Sequence, residues 1–287
     1  MMDTAAGLGY ECVEAACWPQ GKAERRYAGV SHIDVDNDSR EYVNHIHETC
    51  KKTGVEISAL AYYPNTMDGD FQKREAAIRH LKKVIAFSEK LGVGMVTTFV
   101  GRDQTKSVEE NLEAFGRIWP PIIRYAEEHG VRIAIENCPM LFGREQWPGG
   151  HNLFTSPALW RKMFDMIPSR NFGINYDPSH FVWQMMDYIQ PIYEFRERIF
   201  HVHYKDIKVY PQKLKDVGIM AYPLEYMEPK LPGLGDVDWG RYVSALTDIG
   251  YDGFTCVEVE DRAFEADRER ILDSLKLSKR YIEQFVI

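Results

Sequence analysis

The apolar run Phe172-Gly173-Ile174 leads through Asn175 and Tyr176 into Asp177, Pro178, Ser179 and His180, so a carboxylate and an imidazole stand three residues apart beyond a strand-like segment. Both are costly to bury without a partner. Turn chemistry alone accounts for Asp-Pro-Ser, with His180 opening a helix; a reactive site at the end of a strand is the other reading. Three more apolar runs end in similar groups: Glu136 closes "IAIEN", His203 lies in "HVHYKD", and Glu258 follows Thr255-Cys256-Val257. One acidic residue after a strand commonly caps a helix, and His203 alone would suit a core histidine sharing a strand face with His201. Four in succession, Glu, Asp, His and Glu, ask for more. Three carboxylates converging on one spot repel unless a cation neutralises them, so the pattern calls for one divalent metal ion. Oxygen-rich ligation with a single imidazole suits Mn2+ or Mg2+ best, with Co2+, Fe2+ and Zn2+ also compatible.

The elements that must position these groups alternate. Strand-like runs at 10–16, 55–63, 94–101, 131–138, 171–177, 199–206 and 253–261 are separated by segments with helical spacing. The clearest helix covers 71–91: Ala77, Leu81, Val84, Ile85 and Leu91 share one stripe, and Gly92 sits where a C-terminal cap belongs. Residues 111–119 and 120–130 read as helix, with Pro120 and Pro121 at a start or a kink. This alternation implies parallel βαβ units with right-handed crossovers. Strands as continuously apolar as "VRIAI" fit a sheet buried on both faces. The expected fold is α/β, a TIM (β/α)8-type barrel forming a single domain over 1–287; a doubly wound sheet competes but lacks a GxGxxG turn. Seven strands are counted rather than eight. The chain opens in the helical stretch "MMDTAAGLG", which should follow a strand, so the first strand is expected to be missing from this chain.

Composition narrows the function. The 287 residues are 45% hydrophobic and 27% charged, which is ordinary for a soluble globular protein. A formal net charge of −8 opposes a nucleic-acid or anionic-membrane partner, either of which wants a basic face. Five scattered cysteines without a CxxC pair suggest reduced thiols. No run approaches the ~18 apolar residues of a membrane span, and the N-terminus lacks a signal-peptide layout, so the cytoplasm is expected.

The stretches "IEN", "NYDPSHFVWQ", "HVHYKD", "PGLGDVDW" and "GYDGFTCVEVED" resemble the xylose isomerase-like TIM-barrel superfamily, in its sugar phosphate isomerase/epimerase branch, over nearly the whole chain from Ala5 onward. In ketose 3-epimerases of that superfamily the matching residues hold the metal, which here implies Glu136, Asp177, His203 and Glu258. The resemblance also implies that Glu136 and Glu258 face each other across the substrate as catalytic acid and base, and that His180 binds the sugar. The expected activity is isomerisation or epimerisation of a sugar or keto sugar through a metal-stabilised enediolate. Elementary chemistry agrees: proton abstraction beside a ketone needs a Lewis acid on the oxygen and a base on each face to invert the centre.

Other candidates rest on position. Lys205 and Asp206 follow the metal histidine and either support a developing oxyanion or pair with each other. Asn137 and His151 lie in or after the strand carrying Glu136, with "EQWPGGHN" as a turn that could bring His151 inward. Trp18, Tyr62 and Trp183 follow strand ends, where aromatics either stack on a sugar or pack against loops. Residues 209–236 read as a long aromatic-rich lid or partner surface, and "SHIDVDNDS" as an acidic loop. The expected partners are a small-molecule carbohydrate, neutral or phosphorylated, and copies of the same chain in a dimer or tetramer, with no nucleic acid or membrane. A lyase, dehydratase or C-glycoside-cleaving enzyme acting on 3-keto sugars shares the same first step. An endonuclease IV-like enzyme would need more histidines than "ALAYYPN" and "TTFVGRD" offer. A non-catalytic metal-binding barrel would have no use for two paired glutamates.

Overall fold

The strand-like runs and helically spaced segments of the sequence are realised as alternating strands and helices. The computed structural model describes residues 1–21, 30–141 and 149–285. They divide into two units: the first takes the described residues within 1–140 and 149–175, and the second takes Leu141 and 176–285.

The first unit runs α1 (Met2–Gly7), β1 (Cys12–Ala16), α2 (Arg40–Thr53), β2 (Glu56–Ala61), α3 (Phe71–Leu91), β3 (Met95–Thr98), α4 (Val108–Glu128), β4 (Arg132–Glu136), α5 (Pro157–Met166) and β5 (Phe172–Tyr176). Each strand pairs in parallel with the next in chain order. Helix α1 precedes the first strand, as "MMDTAAGLG" suggested. Helix boundaries follow local chemistry. Asp70 caps α3 by accepting from the amides of Gln72 and Lys73, and Gly92 ends it in the left-handed conformation. Ser107 and Glu110 form a reciprocal capping box on α4. The acidic loop ends at Ser39, the cap of α2, and its Asp36 and Asp38 pair with Lys83 and Lys90 of α3.

Pro120 and Pro121 neither start nor break a helix, because α4 continues through both. Each proline removes one amide donor. The helix survives because it buries Phe115, Trp119, Ile122, Ile123 and Ala126, and Trp119 Nε1 donates to the Val100 carbonyl at 3.1 Å. Tertiary packing outweighs local propensity here.

The second unit contains α6 (Ser179–Val182), α7 (Gln190–Glu194), β6 (Ile199–Tyr204), β7 (Asp206–Val209), α8 (Pro211–Val217), β8 (Met227–Lys230), α9 (Trp239–Asp248), β9 (Thr255–Val257) and α10 (Arg268–Ile282). Strands β6 and β9 pair in parallel, and β7 and β8 form an antiparallel ladder. Residues 209–236 are therefore not one long loop: they hold α8 and the return strand β8. Trp183, Ile207, Tyr226 and Met227 form a buried cluster beneath this excursion, so Trp183 packs against it. Among the described residues no helix is long and apolar enough to cross a membrane, and none of the five cysteines forms a disulfide.

Asp206 fastens the excursion to its base. Fully buried, it accepts from the amides of Ile207 (2.8 Å), Gly233 (2.9 Å) and Val237 (3.1 Å) and from Trp239 Nε1 (2.9 Å). Gly235 is required by this close wrapping, since a Cβ there would lie 2.1 Å from Asp206 Oδ1. Asp206→Ala should orphan several buried donors and cost about 3 kcal/mol or more in urea unfolding, with Asp206→Asn costing less. Equal stability of the alanine variant would show that the clasp does not hold the excursion.

Candidate metal centre and active site

In the second unit five of the expected residues come together. Asp177 follows β5 and is fully buried; its Oδ1 accepts from the Ser179 amide at 2.8 Å, and its Oδ2 lies 3.2 Å from His180 Nε2. His180 sits in the single turn of α6, and its Nδ1 accepts from Trp183 Nε1 at 3.5 Å. His203, on β6, places Nδ1 3.1 Å from Glu258 Oε2. Lys205 is buried and bridges two carboxylates, with Nζ 2.9 Å from Glu258 Oε1 and 2.7 Å from Glu260 Oε2. Lys205 and Asp206 do not pair with each other. Successive residues of an extended chain point to opposite sides, so Lys205 meets the glutamates while Asp206 takes the donors of the excursion.

Asp177, His203 and Glu258 each offer one ligand atom, and these atoms lie within 4.8 Å of one another. Burial opposes charge on both carboxylates. At Asp177, His180 and Lys205 outweigh that penalty; at Glu258, Lys205 and His203 do so, and both carboxyl groups are held below their ordinary range. Two ionised oxygen donors and an imidazole at this spacing fit a divalent cation.

In the first unit Glu136 ends β4 in register with Asn175 of β5, and it and Asn137 are buried. The loop beyond is tied to its neighbours by asparagine. Asn152 Nδ2 donates to the carbonyls of Glu136 and Cys138, both at 2.8 Å, while its Oδ1 accepts from the Val100 amide at 3.2 Å. The His151 backbone amide donates hydrogen bonds to the Pro139 and Met140 carbonyls, and its Nδ1 lies 3.3 Å from Asn65 Nδ2. The "EQWPGGHN" turn that was to bring it inward lies partly outside the described residues. Trp18 meets the edge of Tyr62 at 4.9 Å between ring centroids. The described Trp18 contact is therefore with another aromatic.

One polar group escaped the sequence reading. Glu14 of β1 accepts from the Tyr63 hydroxyl and from Thr97 Oγ1, both at 2.6 Å, and Asn175 Nδ2 donates to Tyr63 at 3.2 Å. Burial, then the charges of Glu14 and Glu136, push the Tyr63 phenol well above its ordinary pKa. The available signal was a glutamate inside the apolar strand "CVEAA". A register shift beside Val13 and Glu14 marks the place in the sheet, as bulges near polar sites do.

Gly150 decides whether the β4 loop can take this course. It lies at φ +66°, and a Cβ there would fall 1.9 Å from the Pro139 carbonyl oxygen. Gly150→Ala should therefore displace the His151–Asn152 segment and lower stability by about 2 kcal/mol or more in chemical denaturation. An unchanged midpoint would mean that the loop accommodates a side chain without strain.

The chain is similar in sequence and in fold to known proteins. The family model described as xylose isomerase-like TIM barrel matches residues 2–281. The chain is 27% identical over 176 residues to the protein YfiH of Bacillus subtilis (strain 168), a match covering 58% of this chain and 52% of that protein. It is 28% identical over 231 residues to an inosose dehydratase of Clostridium tetani (strain Massachusetts / E88), covering 77% of this chain and 71% of the relative. Among solved structures, the IOLI protein with a bound zinc atom superposes with a TM-score of 0.73 at 16% identity, over 99% of this chain and 92% of that one. D-Psicose 3-epimerase with D-tagatose, from Clostridium cellulolyticum H10, does so with a TM-score of 0.67 at 16% identity and the same coverage. The protein belongs to the xylose isomerase-like TIM barrel family.

Proposed function

We propose that the protein is a divalent-metal-dependent isomerase or epimerase of a sugar or keto sugar. The observation that carries this reading is the convergence of the buried Asp177 and His203 with the partly buried Glu258, beside Lys205. Those three residues would hold the ion, with Glu136, at the end of β4, as the fourth ligand. A bound divalent ion of this kind supplies Lewis acidity toward a carbonyl oxygen. Glu136 and Glu258 would take a proton from the carbon next to that carbonyl and return one to it, each from its own face. Lys205, a buried cation held at 2.9 Å from Glu258, would stabilise negative charge developing on oxygen. His180 would donate to a substrate hydroxyl through the nitrogen that now faces Asp177. The family model, the zinc in IOLI and the sugar in the epimerase structure support the reading in kind.

A dehydratase is the second reading, favoured by the inosose dehydratase relative. It begins with the same proton removal and ends with loss of a β-hydroxyl group as water. One experiment separates the two. Metal content would be measured by elemental mass spectrometry on the protein and its His203→Ala variant. Ketoses and inososes would then be incubated with each in deuterium oxide.

About one divalent ion per chain, lost in His203→Ala, is expected. Deuterium entering a recovered sugar identifies the isomerase or epimerase, and an unsaturated product identifies the dehydratase. Glu136→Gln should slow either reaction by about 10²–10⁴-fold. Absence of bound metal after supply of Mn2+, Mg2+ and Zn2+ would overturn both readings.

A further inference from the structure

Arg102 lies in the loop that follows β3, on the end of the first unit's strands that carries Glu136. Thr98, which ends β3, is in register with Ile135, the residue before Glu136. Asn65 fixes the Arg102 backbone from the loop after β2, accepting from its amide at 2.9 Å and donating to its carbonyl at 2.8 Å. From the loop after β4, the Gly149 carbonyl accepts from Nη1 at 3.0 Å. Three loops therefore hold the base and one corner of this side chain.

The remainder of the guanidinium is left over. Nε is buried without a hydrogen-bond partner, and among the described residues no carboxylate lies within ion-pair reach. Burial lowers the Arg102 pKa with no opposing acidic charge, yet a guanidinium stays charged at neutral pH. Among the described residues this fork of five N–H donors uses one carbonyl, which compensates its burial poorly. The side chain as a whole is only partly buried. Planar guanidinium geometry matches the paired oxygens of a carboxylate or phosphate.

We propose that Arg102 is an anion-binding residue, and that the substrate is an acidic sugar or polyol whose carboxylate or phosphate it takes. The assignment rests on the reading of the Glu136 end as the active-site end. It extends that reading from a sugar in general to one bearing an oxyanion.

Isothermal titration of the full chain with inorganic phosphate and with glycolate, at constant ionic strength, tests it independently of turnover. The Arg102→Gln, Arg102→Lys and His203→Ala variants would be titrated alongside. Saturable binding of either anion is expected, kept in His203→Ala, weakened about tenfold or more in Arg102→Gln, and partly retained in Arg102→Lys. Phosphate alone binding points to a phosphorylated sugar, and glycolate alone to a sugar acid. Thermal unfolding guards against misfolding; if Arg102→Gln fails to fold, a several-fold loss in Arg102→Lys carries the result. Binding lost in His203→Ala but kept in Arg102→Gln would place the anion at the metal centre and overturn the proposal. So would the binding of neither anion. Failure of the function reading shows separately, as a protein without metal or proton exchange that still binds anions through Arg102.

Discussion

Buried carboxylates must be neutralised, and much of the second unit is arranged around that constraint. Asp177 and Glu258 each meet a cation or a potential one, and Lys205 serves Glu258 and Glu260 together. Leaving water costs an ionised carboxylate several kcal/mol unless charge and hydrogen bonds replace the solvent. The chain answers the same cost differently one residue later. Asp206 is satisfied by three backbone amides and an indole, with no cation among these donors, and so becomes a structural clasp. Adjacent residues of opposite charge thus do unrelated work, because strand geometry sends them to opposite sides.

In the first unit the polar groups at the strand ends are held by amides more than by charge. Asn65 and Asn152 tie the loops after β2, β3 and β4 to one another, each using both ends of its side-chain amide. This places Glu136, Asn137 and His151 on backbone that is braced from several directions. Such bracing is what a site needs if its side chains are to keep a productive geometry. Glu14 is drawn into the same region through Tyr63 and Thr97, so a second carboxylate sits in a hydrogen-bonded setting near Glu136.

The periodic elements were legible because burial imposes their pattern directly. All seven expected strand runs contain a strand that pairs in parallel, and the stripe of Ala77, Leu81, Val84, Ile85 and Leu91 is the buried face of α3. The strand-end acids and His203 were legible for a related reason: an ionisable residue at the end of an apolar run needs an explanation. Less visible were features whose cause lies elsewhere in the chain. The β8 strand has meaning only once β7 is beside it. Pro120 and Pro121 looked like a boundary until the packing of Trp119 and Ile122 kept the helix whole.

The amino-acid sequence by itself determined the strand–helix alternation, the capping of its helices, and the residue types available at each strand end. These follow from local rules of propensity, period and hydrogen bonding, which act within a few residues. Tertiary structure decided the partners. Only the fold shows that Lys205 serves Glu258 and Glu260 while Asp206 serves the excursion, that Glu14 joins the polar network, and that Arg102 meets one carbonyl and no acid among the described residues. Charge compensation is set by distances across the chain, and sequence order does not contain them.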